Sequence, residues 1–266
     1  MEDFQVGIIG GRRGMGRWFA DYLMGQGYTV HVSGSKTGMS VAEMAACCKV
    51  VVVSVPIGIT CDIISQVGPL MDKDSLLMDL TSLKADPVQA MLKHSRSEVI
   101  GCHPLFGPKI DNVENQHVVI CPARTGKWLS WLVEVWKKGG ALLVETTPEK
   151  HDEYMSVVQV LNHFNTIMMG MALSKTSAPL SQLDRFTTPI FDTKAKLVKK
   201  IFNENPRLYA EILCDNPRRM NIVESYEQAI AEMKAAILRG DADEVTELIQ
   251  KAAIRLWPDE KERNSN

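Results

Sequence analysis

The sequence predicts an α/β protein in which a doubly wound, mostly parallel sheet is followed by an all-helical C-terminal domain. Three observations indicate this fold class. In the first half of the chain, short apolar runs alternate with helical patterns. These runs are continuous in Val, Ile and Leu, as in strands covered on both faces. Strand patterns then stop near Thr147. Because 266 residues suit two modest domains, we predict one domain over residues 1–147 and a second over residues 148–266.

The predicted strands are short apolar runs, each followed by a turn or a helical pattern. They are Gln5–Gly10, Tyr28–Ser33, Lys49–Pro56, Ser75–Leu80, Glu98–Cys102, His117–Cys121 and Ala141–Glu145. Residues 15–24 predict a helix directly after the first strand. Strands that alternate with helices are typical of a doubly wound sheet.

A helix start marks the change of character near residue 147. Thr147 is a hydroxyl N-cap, Pro148 suits the first helical position, and Glu149 places an acid in the first turn. Gly240 predicts the end of a helix. The helices predicted beyond residue 147 are His151–Lys175, Thr187–Asn203, Arg207–Cys214, Pro217–Arg239 and Ala242–Leu256.

Composition and charge exclude several classes of partner. The formal charge of −2 gives no electrostatic reason to expect nucleic acid or an anionic membrane. No apolar run is long enough to span a membrane, and residues 5–10 lack the length and basic start of a signal peptide.

The six cysteines show neither CxxC pairs nor zinc-ligand spacing. We therefore predict no metal site and a cytoplasmic protein with reduced thiols.

A glycine-rich segment, GGRRGMG at residues 10–16, stands between the first strand and the first helix. Glycines there allow a tight turn and let backbone N–H groups approach a pyrophosphate closely, while the helix N-terminus adds partial positive charge. The match to GxGxxG is imperfect, since Arg13 stands where the second glycine is expected. The position of the segment still predicts a dinucleotide site of the Rossmann type, completed by residues after the third predicted strand. The residues predicted to bind the cofactor are Gly11, Arg12, Arg13, Gly14, Met15, Gly16, Ser54, Val55 and Pro56.

The end of the second predicted strand bears on the choice of cofactor. An NAD-binding domain usually has Asp or Glu there, to accept from the ribose 2′-hydroxyl. Residues 31–37, HVSGSKT, contain no carboxylate. Ser33, Ser35 and Lys36 suit a 2′-phosphate instead, with the two arginines of the glycine-rich segment nearby. The sequence therefore favours NADP over NAD; the alternative is an ordinary solvated loop.

Three later segments carry polar side chains: DLTSLK at residues 79–84, HPLFGP at 103–108 and QVLNHF at 159–164. In the third, Gln159 and His163 are four residues apart and so share one face of an α-helix. Together with a later PIF…NPRLY stretch, these segments resemble the prephenate/arogenate dehydrogenase family. The similarity is greatest to the dehydrogenase half of the enteric bifunctional chorismate mutase–prephenate dehydrogenase, and it covers nearly the whole chain.

The resemblance implies oxidative decarboxylation of prephenate to 4-hydroxyphenylpyruvate, with hydride transfer to NAD(P), in tyrosine biosynthesis. It implies that His103 takes the proton of the substrate hydroxyl, a task that suits histidine because it titrates near neutrality. Ser82 would bond near the reacting hydroxyl and the nicotinamide, and Lys84 would hold that loop or neutralise charge at the substrate site. Gln159 and His163 would face the substrate from the helical domain. The resemblance also implies a homodimer formed through that domain.

One position departs from the family pattern. Where the family carries an arginine that clamps a substrate carboxylate, this chain has Lys200. Lysine keeps the charge but loses the bidentate fork. Arg185 or Lys196 are the other candidates for this contact. The departure leaves arogenate or 4-amino-4-deoxyprephenate open as alternative substrates.

Two further classes of protein are weighed against this interpretation. A β-hydroxyacid dehydrogenase or imine reductase would carry a lysine or an acid on the helix that here offers Gln159 and His163. A non-catalytic NADP-binding regulator would not need Ser82 and His103. Both alternatives are therefore less favoured than a dehydrogenase.

Overall fold

The computed structural model describes residues 4–34, 37–177 and 179–258. Its largest element is a single sheet, whose strands are β1 (Gln5–Ile9), β2 (Thr29–Gly34), β3 (Thr37–Gly38), β4 (Val50–Val53), β5 (Leu76–Asp79), β6 (Glu98–Pro104), β7 (His117–Arg124) and β8 (Leu142–Glu145). The strand order is β3-β2-β1-β4-β5-β6-β7-β8. Neighbouring strands are parallel except β2 with β3 and β6 with β7. The predicted α/β class is confirmed, and the structure adds the two-residue strand β3, which has no counterpart among the predicted strands.

Strand β1 lies where the order of the strands reverses. It pairs in parallel with β2 on one side and with β4 on the other. The loops that follow β1 and β4 therefore diverge at the carboxyl ends of these two strands. Doubly wound sheets bind their ligands in the crevice that forms there. Residues 10–16 follow β1 and residues 54–56 follow β4, so both segments lie at this crevice.

Five helices cover the sheet: α1 (Gly14–Gly25), α2 (Val41–Cys47), α3 (Ile57–Val67), α4 (Ala85–His94) and α5 (Lys127–Lys138). The four consecutive valines of β4 show why its sequence does not alternate. Val50 and Val52 belong to a core cluster with Trp136 of α5, whereas Val51 and Val53 belong to a second cluster with Ile64 of α3. All four valines are fully buried, since successive side chains of a strand point to opposite faces.

The helices beyond the sheet are α6 (Pro148–Met155), α7 (Asn162–Leu173), α8 (Leu180–Leu183), α9 (Pro189–Glu204), α10 (Pro206–Asp215), α11 (Arg219–Arg239) and α12 (Ala242–Leu256). The predicted start of α6 is confirmed, because the Thr147 side chain accepts a hydrogen bond from the Lys150 amide at 3.2 Å. The range predicted as one helix, His151–Lys175, is helical from Pro148 to Leu173, but a π-helical turn at Ser156–Leu161 divides it into α6 and α7. A π turn holds more residues than an α turn, and apolar periodicity alone does not reveal it.

The chain forms two compact units, residues 1–218 and residues 219–266. The first contains the sheet and the helices up to α10, and the second contains α11 and α12, which pack on each other. The boundary predicted between residues 147 and 148 falls inside the first unit and stays a prediction. Within the described ranges, no helix is both long and apolar enough to cross a membrane.

Candidate active site

The glycine-rich segment packs directly on the end of β4. Gly10 has φ +85°, and a Cβ at this position would overlap the carbonyl oxygen of Ser54. A Cβ on Gly16 would lie 2.8 Å from the Gly10 carbonyl oxygen and 3.0 Å from Cβ of Ser54. The Ser54 amide in turn donates to the carbonyl of Ile9 at 2.8 Å. Glycine is therefore required at both positions for the loop to pack this closely.

The N-terminus of α1 has the properties of a pyrophosphate site. Arg13 is its N-cap residue but makes no side-chain capping bond, and its first turn contains no acid. A Cβ on Gly14 would have nothing within 4 Å, so there is open space beside this turn. The first amides of a helix need acceptors, and a dinucleotide pyrophosphate supplies them. Met15 lies in this first turn of α1, and Val55 and Pro56 follow β4.

Arg12 extends across the paired strands β2 and β3. A Cβ on Gly34 would lie 3.0 Å from Cδ of Arg12, and one on Gly38 would lie 3.5 Å from its Nη2. Ser33, at the end of β2, is buried, and its carbonyl accepts from the Gly10 amide at 3.0 Å. The two other residues predicted to contact a 2′-phosphate, Ser35 and Lys36, lie outside the described residues. The Arg12 side chain therefore lies beside the described end of β2 and the paired strand β3.

The segment after β5 is held by a buried ion pair. The ammonium group of Lys84 donates to Asp79 and lies 3.3 Å from Oγ1 of Thr81, whose amide donates to Asp79 at 3.0 Å. The side chains of Lys84 and Asp79 are fully buried. This burial argues against the expected contact between Lys84 and substrate, and it supports the loop-holding role. Ser82, between these residues, is half-buried.

His103 is buried near the carboxyl end of β6 and begins a chain of hydrogen bonds. Its Nδ1 lies 2.8 Å from Nε2 of His151, and Nδ1 of His151 lies 2.7 Å from Oδ1 of Asp152. The Asp152 carboxylate also accepts the amides of Lys84 and Ala85, each at 2.9 Å. Residues of α6 therefore connect the predicted base to the N-terminus of α4.

Burial decides the charge of both imidazoles. It lowers the pKa of His103 well below the ordinary 6.5, and the charges of His151 and Lys84 act in the same direction. Burial also lowers the pKa of His151, against the opposing effect of its hydrogen bond to Asp152. Near neutral pH both rings are accordingly neutral, which is the state in which His103 accepts a proton.

A second group of polar residues lies on α7, α9 and α10. The ring of His163 packs edge-to-face on Tyr209, with 4.9 Å between the ring centroids. Burial lowers the pKa of His163, and the nearby charge of the exposed Lys200 adds to this effect. Gln159 lies in the π-helical turn, and its Oε1 is buried with no hydrogen-bond partner among the described residues. The prediction that Gln159 and His163 share one face assumed an uninterrupted α-helix, and it stays a prediction.

The other candidate cations of the helical region are exposed. Lys196 pairs with Asp192 at 2.7 Å within α9, and Arg185 lies in the short turn before α9. The structure thus brings Lys200, rather than Lys196, close to a predicted substrate residue.

Two residues of this site, His151 and Asp152, are absent from the sequence prediction. They stand 48 and 49 positions beyond His103, and no spacing rule links a strand residue to a helix start at that distance. The only available signal is an adjacent His-Asp pair in the first turns of the first helix after the sheet.

Two family models match the chain. The model described as the nucleotide-binding domain of prephenate dehydrogenase matches residues 29–145, and the model described as its dimerization domain matches residues 147–251.

Curated relatives have similar sequences over most of this chain. It is 33 % identical to a probable arogenate/prephenate dehydrogenase of Methanocaldococcus jannaschii over 93 % of its own length and 60 % of that protein. It is 34 % identical to the T-protein of Enterobacter agglomerans over 89 % of its length and 63 % of the relative. The chain thus spans about three fifths of the length of these relatives.

Solved structures share the fold. Prephenate dehydrogenase from Aquifex aeolicus, in a complex with hydroxyphenyl propionate and NAD+, superposes with a TM-score of 0.72 at 22 % identity, covering 97 % of this chain and 99 % of that one. Arogenate dehydrogenase from Synechocystis superposes with a TM-score of 0.70 at 17 % identity, covering 93 % and 96 %.

Proposed function

The chain belongs to the prephenate dehydrogenase family, and from this premise we propose that it converts prephenate to 4-hydroxyphenylpyruvate by oxidative decarboxylation. The reaction is a step of tyrosine biosynthesis. The observation that carries the proposal is His103, a buried and neutral imidazole near the carboxyl end of β6, whose Nδ1 is already engaged by His151. Its Nε2 is the atom that receives the proton.

The proposed reaction moves a proton and a hydride and breaks one C–C bond. His103 takes the proton of the C4 hydroxyl while the hydride leaves C4, so that C4 becomes a carbonyl. The bond from C1 to its carboxylate then breaks, and its electron pair passes through the ring to the carbonyl oxygen. That oxygen recovers a proton from His103, and the ring becomes aromatic. A bound nicotinamide dinucleotide supplies the hydride acceptor.

Other residues of the chain bind and orient in this proposal. Ser82 hydrogen-bonds near the reacting hydroxyl, and Lys84 fixes the segment that carries it through the ion pair with Asp79. Gln159 offers its unpartnered Oε1 to a donor on the substrate, because a buried acceptor without a partner is costly. His163 faces the substrate beside Tyr209.

We assign NADP as the preferred cofactor, with NAD as the weaker one. The support is the missing acid at the end of β2 and the Arg12 side chain that extends across Gly34 and Gly38. A guanidinium suits a 2′-phosphate because it donates two parallel hydrogen bonds to phosphate oxygens.

Replacing Arg12 with glutamine is expected to raise KM for NADP by about 10-fold or more while changing KM for NAD little. A hydrogen bond to a charged group contributes about 1.5–3 kcal/mol, and this variant removes it only for the phosphorylated cofactor. Steady-state kinetics with both cofactors measures the effect. Arg17→Gln is the matched control, because Arg17 lies on α1 and pairs with Asp21 in solvent. A wild-type preference for NAD contradicts the assignment.

Lys200 is proposed to bind a substrate carboxylate, since its charge already acts on His163. Lys200→Ala is then expected to raise KM for prephenate about 10-fold with a smaller change in kcat, because binding to a charged group is lost. Lys200→Arg keeps the charge and restores the fork, so its KM is expected to equal or fall below that of the wild type. Initial rates over a range of prephenate concentrations give both constants.

Lys199→Ala is the matched control, because Lys199 is the adjacent exposed lysine of α9. An unchanged KM in Lys200→Ala, together with a raised KM in Arg185→Ala, assigns the carboxylate to Arg185 instead.

The proposal includes a homodimer. The chain matches a family model described as a dimerization domain, and α7 and α9 expose apolar side chains at Met171, Ile190 and Leu197. It also includes a cytoplasmic location, which the six free cysteines support.

Turnover of prephenate, arogenate and 4-amino-4-deoxyprephenate, each with NADP and NAD, tests the function. The proposal expects the highest kcat/KM for prephenate with NADP. A higher value for arogenate or for the amino analogue makes that compound the substrate. Cofactor binding without turnover of any of the three supports the regulator, and turnover of 3-hydroxyacids supports the β-hydroxyacid dehydrogenase.

A further inference from the structure

We infer that His151 and Asp152 are positioning residues, which fix the tautomer of His103 so that its Nε2 carries the lone pair. This inference rests on the proposed function, in which His103 is the base. It starts from a linear arrangement: the ring of His103, the ring of His151 and the carboxylate of Asp152 are joined by hydrogen bonds of 2.8 and 2.7 Å.

Asp152 determines which group donates in each of these hydrogen bonds. Oδ1 accepts from the Lys84 amide and Oδ2 from the Ala85 amide, so both oxygens act as acceptors at the N-terminus of α4. A helix N-terminus favours negative charge, so the carboxylate form is stabilised there. Nδ1 of His151 must then be the donor to Oδ1, because two acceptors cannot share a hydrogen bond.

The position of the proton on His151 determines the position of the proton on His103, the proposed base. A neutral imidazole has one N–H, so His151 with a proton on Nδ1 has a lone pair on Nε2. That lone pair accepts from Nδ1–H of His103, which leaves Nε2 of His103 without a proton. The second shell of hydrogen bonds around a histidine commonly selects its tautomer in this way.

Other charged groups near the two rings do not compete for these protons. Lys84 acts on both rings as a positive charge, but its ammonium is engaged by Asp79 and Thr81. Asp79 acts on His151 only through space. Asp152 is also held from its backbone, since its carbonyl accepts from Nδ2 of Asn216 at 3.1 Å, and this keeps the carboxylate in place.

The replacement Asp152→Asn tests the tautomer directly. The amide has one acceptor where the carboxylate has two, and either orientation opposes its NH2 group to a backbone N–H, that of Ala85 or that of Lys84. With the NH2 group in the place of Oδ1, it donates to Nδ1 of His151, which shifts the proton of His151 to Nε2 and that of His103 to Nε2. The base lacks its lone pair in that orientation, so we expect Asp152→Asn to populate both tautomers of His103 and to lower kcat with prephenate and NADP, with KM for prephenate nearly unchanged.

Nitrogen-15 NMR of histidine-labelled protein measures the tautomer without any need for turnover. We expect pyridine-type Nε2 and pyrrole-type Nδ1 signals for both His103 and His151 in the wild type, and signals of both tautomers for His103 in Asp152→Asn. The signals are assigned by their loss in His103→Asn and His151→Gln. Glu149→Gln, which removes an exposed carboxylate from the same helix, is the matched control and should change neither NMR signals nor kcat.

A second pair of variants keeps the test decisive if Asp152→Asn does not fold. The Oε1 of glutamine occupies roughly the place of a histidine Nε2 and accepts from His103, so His151→Gln should keep much more turnover than His151→Leu. Equal turnover in these two variants, or a protonated Nε2 of His103 in the wild type, overturns the inference. Full turnover in His103→Asn instead refutes the proposed base, whatever tautomer the NMR signals report.

Discussion

Replacing His103 with asparagine is expected to lower kcat with prephenate by about 10²–10⁴-fold, the range that general-base catalysis contributes. Asparagine is similar in size and polarity, so the site at the end of β6 should still fold, but no atom of the amide accepts a proton near neutral pH. Cofactor affinity should stay at the wild-type value, because the glycine-rich segment and α1 are unchanged. Steady-state kinetics and fluorescence titration with NADPH measure the two quantities separately.

The pH profile of the wild type gives a second readout of the same group. Burial holds the pKa of His103 well below 6.5, so the neutral base persists as the pH falls through 6.5. Activity should be lost only at lower pH, when the ring becomes protonated, and the acid limb of kcat/KM should report that pKa. His117→Asn, at the exposed start of β7, is the control histidine. Near-normal turnover in His103→Asn would make His103 a structural residue.

Replacing Lys84 with methionine is expected to lower the free energy of unfolding by about 3–5 kcal/mol, because it leaves the charge of Asp79 buried without its partner. Both side chains are fully buried, Lys84 donates to Oδ2 of Asp79, and Oδ1 of Asp79 has no hydrogen-bond partner among the described residues. Removing both charges, in Asp79→Asn combined with Lys84→Met, should recover part of the loss. Urea unfolding followed by circular dichroism measures the free energy of unfolding of the wild type, of Lys84→Met and of the double variant.

The matched control for this replacement is an exposed pair. Lys49 and Asp72 form an ion pair at 3.1 Å with about half of each side chain exposed, and Lys49→Met should cost at most about 1 kcal/mol. If Lys84 instead bound substrate, Lys84→Met would raise KM for prephenate and leave unfolding close to that of the wild type. That outcome would contradict the loop-holding role.

The parts of the fold that sequence predicts well depend on local patterns. The continuous valines of β4, the glycines after β1 and the Thr147 cap each act within a few residues, and each is confirmed. The π-helical turn at Ser156–Leu161 escapes prediction because such turns occur as single turns inside α-helices, and one turn is too short to establish a different apolar period.

The candidate site shows the same limit. His103 is visible within HPLFGP, but its contact with His151 depends on how α6 returns to the sheet after β8, and that is a property of tertiary packing. Lys84 stands two positions after Ser82, which suggests a role at the substrate. In the structure its ammonium group donates to Asp79 instead. Sequence thus identifies the segments of the site, and the structure decides which side chains of each segment are open to a ligand.

A product analysis tests the central claim most directly. The purified protein is incubated with prephenate and NADP+, and reduced cofactor, CO2 and 4-hydroxyphenylpyruvate are quantified in the same samples. Samples without cofactor correct for the spontaneous conversion of prephenate to phenylpyruvate. The account predicts that the three products appear in equal amounts and that they form at least about 100-fold more slowly with His103→Asn. Absence of reduced cofactor, or its formation without equal release of CO2 and 4-hydroxyphenylpyruvate, would contradict it.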